Sequence, residues 1–125
     1  AGWYRFPDTA QPYPQGIKRA RARGDLRFDA ERFLTVPALA LVGERDTVQN
    51  GKLRESARVV AQQGPSRVAR ARNWVDAMRA AAAARGLATR FEFALLPGSR
   101  HLFSQCMKRG AMGARVFEFL FDTAP

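Results

Sequence analysis

The chain has 125 residues, 46% hydrophobic and 26% charged, which is one domain's worth and enough to bury a core. No apolar run approaches the length of a membrane span, and one cysteine, Cys106, excludes an internal disulfide and suits a reducing, cytoplasmic compartment. The net charge of +10 raises an anionic partner, but the arginines are scattered along the whole chain, so a solvated basic surface is favoured over nucleic-acid binding.

Ala1 to Gly16 carries Trp3, Tyr4 and Phe6, followed by Pro7, Pro12 and Pro14, and reads as an irregular loop pinned by aromatic packing. With no secretory signal and no initiating Met, Ala1-Gly2-Trp3 reads as the interior of a longer sequence. Lys18 to Arg23 is the densest charge run. It would be the contact surface of a small basic nucleic-acid- or anion-binding module, the alternative to the enzyme reading developed below.

Asp29 to Phe33 suits one turn of helix with Asp29 as its cap. Pro37 to Val42 is an apolar run without polar alternation, the pattern of a strand buried on both faces as in parallel sheets. Pro at its first position is tolerated because no ladder donor is needed there. Gly43-Glu44-Arg45-Asp46 then turns the chain and leaves a carboxylate beyond the strand's C-terminal end. Two helical stretches follow. The first runs from Asn50 or Gly51 to Gln63, with Leu53, Ala57, Val60 and Ala61 at helical spacing and Gly64 as its stop. The second opens at Pro65-Ser66 and runs to Arg85, where Gly86 caps it. Its apolar stripe is Ala71, Trp74, Val75, Met78 and Ala82, with Arg67, Arg70, Arg72, Arg79 and Asp76 largely on the other faces.

Thr89 to Leu96, with its apolar run Phe91–Leu96, is the second strand. Pro97-Gly98 breaks it, and His101, the only histidine in the chain, follows three residues after the glycine. A strand, helices and a strand in sequence form a crossover, which makes the two strands parallel and brings Asp46 and His101 to one edge of the sheet. A last helix, carrying Met107 and then Val116, Phe117 and Leu120, should cover one sheet face. One His and one Cys cannot make a conventional zinc site, and neither strand is followed by a glycine-rich phosphate loop, so no metal or cofactor is expected.

Gly43-x-x-Asp46 after one apolar strand and Gly98-x-x-His101 after the next resemble the last two strands of the α/β-hydrolase fold, over roughly Leu34 to Phe121. The opening Gly2 to Pro7 is similar to a loop found in many bacterial members. The resemblance implies an α/β fold class: parallel strands with crossover helices, the C-terminal portion of an α/β-hydrolase sheet. Residues 1–33 would be a cap-like lead-in and 34–125 the last two strands with their helices. It also implies hydrolysis of a small carboxylic ester by a Ser-Asp-His triad. His101 would be the general base and Asp46 the acid that orients it, preferred to Glu44 because it holds the motif's fourth position. Asp8 is the less favoured alternative acid. The plainer alternatives, a hydrogen-bonded loop histidine at His101 and a turn or cap aspartate at Asp46, are weighed below the catalytic reading at both positions. No G-x-S-x-G occurs around Ser56, Ser66, Ser99 or Ser104, so the nucleophile is expected upstream of Ala1. The partner would then be the missing N-terminal half of the same domain, and a remnant without activity is the bland outcome.

Overall fold

A computed structural model describes residues 29–48 and 56–121. The Gly2–Pro7 loop, Asp8, the Lys18–Arg23 run and the start of the first crossover helix lie outside the described residues. The elements in order are α1 (Ala30–Leu34), β1 (Ala38–Gly43), α2 (Ala57–Gln63), α3 (Arg67–Ala83), β2 (Phe91–Leu96), α4 (Phe103–Lys108) and α5 (Met112–Phe121). Asp29 caps α1 as expected, its carboxylate accepting the Arg32 N–H at 3.0 Å.

β1 and β2 pair in parallel, with Ala38 opposite Phe91 and Gly43 opposite Leu96. The fold class is α/β, with the strands joined by a crossover through α2 and α3. Both strands therefore end at the same edge, and the loops after them are neighbours. α3 covers one face of this pair. Its Ser66 cap accepts the Ala69 N–H, and its Ala71, Val75, Met78, Ala81 and Ala82 are buried with Ala40, Val42 and Phe91 of the strands. Small residues on both sides of that contact let the helix approach the sheet closely, while Val75, Met78 and Phe91 each contribute about 2 kcal/mol by leaving water. Trp74 is half-buried and meets Phe91 edge-to-face, with ring centroids 6.3 Å apart.

Four expectations need correction. Arg70 is not on an outer face of α3 but 2% exposed, with its Nε donating to Gly64 O at 2.8 Å. That carbonyl belongs to the turn between α2 and α3, so a long guanidinium arm satisfies a backbone acceptor of the turn. The buried face of α2 is Val59 and Gln63, whereas Val60 is half-buried and Ala61 exposed. The strands are not sealed on both faces either. Toward α3, Ala40, Val42 and Phe91 are buried and Ala38 and Phe93 half-buried, and Leu39, Leu41 and Ala94 on the opposite face remain half-exposed.

The reason is the fourth correction. The last helix is two helices, broken at Gly110 and at Ala111, whose φ of 51° is left-handed. α5 meets the back of the sheet through Phe119 and Arg115, which line a cavity with Leu39, Glu92 and Ala94. Phe119 also stacks under the Arg90 guanidinium, 4.2 Å away, and its carbonyl accepts from the same group. Phe117, Leu120 and Phe121 are left exposed. Among the described residues no helix is long and apolar enough to cross a membrane.

Candidate functional site

The loops leaving β1 and β2 are stitched to each other before either reaches its polar side chain. The Glu44 N–H donates to Leu96 O at 3.0 Å, continuing the ladder one step beyond the strands, and the Arg45 N–H donates to Ser99 O at 2.9 Å. In return the Gly98 N–H donates to the Glu44 carboxylate at 2.9 Å. Each loop also closes on itself: the Asp46 N–H reaches Gly43 O at 2.9 Å, and the Ser99 N–H reaches Leu96 O at 3.3 Å. Pro97 and Gly98 occupy the middle of the second turn. Proline presets φ at its position and Gly98 takes the positive φ, 62°, that the following position requires. Gly43 is needed for a different reason. A Cβ there would lie 2.5 Å from Arg100 O and 2.6 Å from Ser99 O, so the two loops can touch only over a glycine.

This stitching brings Asp46 and His101 together. The Asp46 Oδ2 lies 2.8 Å from Nδ1 of His101, the arrangement expected from the two strand ends. Asp46 is buried, with 7% of its side chain exposed, whereas the His101 side chain is 68% exposed. A carboxylate on Nδ1 selects the tautomer with the proton there, which leaves the Nε2 lone pair for a proton acceptor's role. Nε2 takes no hydrogen bond from any described residue. The second oxygen of Asp46, Oδ1, accepts from Nη1 of Arg67 at 3.1 Å. Arg67 is the first residue of α3, and sequence reasoning set it on an outer face of that helix. The usable signal was its position: a crossover helix begins near the edge where the preceding strand ends.

No described serine hydrogen-bonds His101. Ser99 is fully buried, with its Oγ within reach of Pro97 O at 3.2 Å and Gln105 O at 3.1 Å. It ties the His101 loop to α4, a task shared by the Gln105 side chain, which accepts the Arg100 N–H at 3.0 Å. Ser66 is committed to capping α3. Ser99→Ala is accordingly expected to cost about 1 kcal/mol of stability in urea denaturation while leaving any hydrolysis within a few-fold of the parent. Complete loss of activity in a folded Ser99→Ala protein would return that serine to candidacy. Asp46 and Glu44 do not exchange roles, because the Glu44 carboxylate is spent on the Gly98 N–H. Among the described residues no group of three or more His, Cys, Asp or Glu is placed to hold a metal ion.

Comparison with known proteins puts this edge in a wider setting. No protein-family model matches the chain, and no curated protein does. Among solved structures the chain is similar to the crystal structure of LpqC, a poly(3-hydroxybutyrate) depolymerase from Bordetella parapertussis, with a TM-score of 0.62 and 27% sequence identity. The likeness extends over 98% of this chain and 38% of that one, so these 125 residues span well under half the length of the depolymerase they match.

Proposed function

We propose that this chain carries the acid and base of an α/β-hydrolase-type serine hydrolase acting on carboxylic esters. One observation carries the reading: a buried carboxylate 2.8 Å from Nδ1 of an exposed imidazole, both at the C-terminal ends of adjacent parallel strands. In this role His101 takes the proton of an attacking serine hydroxyl through Nε2 and later returns it to the leaving alkoxide. Asp46 keeps the ring's tautomer and stabilises the imidazolium formed between those two steps. The structural likeness to a polyester depolymerase supports hydrolysis in general, and supports ester bonds as the class of bond cleaved.

The nucleophile and the donors that stabilise the tetrahedral oxyanion belong, in this reading, to a segment outside these 125 residues. The chain's partner is then the remainder of the same domain, and its substrate a small molecule or chain end with an ester linkage. The 125 residues alone are expected to give no ester turnover, and the segment supplied in cis or as a second polypeptide to restore it. A fluorophosphonate probe, followed by peptide mass spectrometry of the active preparation, reads both halves of the proposal. Labelling of one serine, dependent on an intact His101, is the expected result. Hydrolysis by the 125 residues alone, or labelling indifferent to His101, would overturn it.

A further inference from the structure

We propose that Arg67 is a positioning residue for the Asp46–His101 pair. It holds one carboxylate oxygen so that the other stays on Nδ1 of His101. What the pair does rests on the hydrolase reading above; how it is held does not.

The ring of His101 is two-thirds exposed, and its contact with Asp46 is the hydrogen bond that fixes its orientation. Packing therefore cannot hold it, and its orientation is only as good as that of the carboxylate. Asp46 sits on a loop, where a carboxylate free to rotate would exchange its two oxygens and drift off the ring. Oδ1 is prevented from doing so by Nη1 of Arg67 at 3.1 Å, with 15% of the arginine side chain exposed. Arg67 in turn begins a helix whose Ala71, Val75 and Met78 are fully buried against the sheet. The chain of support thus runs from a packed helix through a planar guanidinium to a carboxylate and then to an exposed imidazole. Arg67 also places an opposite charge 3.1 Å from this buried carboxylate.

That charge has a cost for catalysis, since a cation beside Asp46 offsets part of the carboxylate's attraction for an imidazolium. Geometry and charge are separated by two substitutions. Arg67→Met removes both, whereas Arg67→Lys keeps a point charge and loses the planar fork. The readout is the tautomer of His101, from long-range proton–nitrogen NMR recorded at a pH well above the ordinary imidazole pKa. As the chain's only histidine, it gives an unambiguous signal.

The parent is expected to show the Nδ1–H tautomer in large excess. Arg67→Met should lower that excess by at least half, toward the Nε2–H preference of free imidazole, and Arg67→Lys should lower it less. A folded Arg67→Met chain with the parent's tautomer ratio overturns the proposal. Should that variant not fold, Arg67→Lys decides, and the parent's ratio there overturns it equally. In a preparation that turns over an ester, kcat of Arg67→Met should fall about tenfold at unchanged KM. A tautomer shift together with no ester turnover in a preparation that carries the nucleophile's segment supports the positioning role and counts against the hydrolase reading. Hydrolysis by a parent whose Arg67 variants keep both tautomer and kcat sinks the positioning role alone.

Discussion

Replacing His101 by alanine should lower kcat/KM for an ester substrate by about four orders of magnitude in a preparation that carries its nucleophile. The loss follows from removal of the oriented base: His101 is the only histidine of these 125 residues, and Nε2 is the atom left open by the contact between Nδ1 and Asp46. Asp46→Asn is expected to be nearly as damaging, and Arg67 is the reason. An asparagine has one acceptor oxygen, and the Arg67 guanidinium, 3.1 Å from Oδ1, can only be met by that oxygen. The amide NH2 is then turned toward His101, where it donates to Nδ1 and forces the proton onto Nε2. The imidazole is left in the tautomer that cannot accept a proton from a serine, and the base is present but unusable. Steady-state kinetics of the two variants side by side check this. A loss of less than about tenfold in Asp46→Asn would show that the carboxylate does not select the tautomer.

Gly43→Ala should be the most destabilising of the glycine substitutions at the site, by about 3 kcal/mol. The added Cβ would stand 2.5 Å and 2.6 Å from the carbonyl oxygens of Arg100 and Ser99, and 2.9 Å from the Ser99 carbonyl carbon. All three are backbone atoms, so the clash cannot be relieved by a rotamer change. Either the loop after β1 or the loop after β2 must move away from the other. That breaks the bond from the Arg45 N–H to Ser99 O and carries Asp46 away from His101. Stability and activity should therefore fall together, with kcat reduced about a hundredfold by a shift of about 1 Å. Gly98→Ala provides the contrast. No atom lies within 4 Å of its Cβ position, and only the positive φ of 62° opposes the side chain, a cost of about 1 kcal/mol. Urea denaturation at constant m-value ranks the two. Equal costs at both glycines would mean that the loops are not in the close contact described.

The sequence by itself determined the frame of this protein. Two apolar runs that each end in a glycine turn, with helical periodicity between them, point to parallel strands joined by a crossover, because parallel strands need a long connection and a helix supplies it. From that frame alone, Asp46 and His101 were expected to share an edge, and the Asp29 cap was readable from local chemistry. What only the tertiary structure decided concerns long side chains and the fate of apolar faces. Arg67 and Arg70 are three residues apart on one helix and look alike in a helical pattern. Yet one reaches the Asp46 carboxylate and the other is buried under the turn at Gly64. An arginine spans several ångströms, and where its head finds an acceptor depends on neighbours distant in sequence. The apolar residues of α5 pointed to a covered helix, but the break at Gly110 and Ala111 turned Phe117, Leu120 and Phe121 outward. Periodicity states which residues share a face of a helix. Only the path of the chain before that helix decides what the face meets.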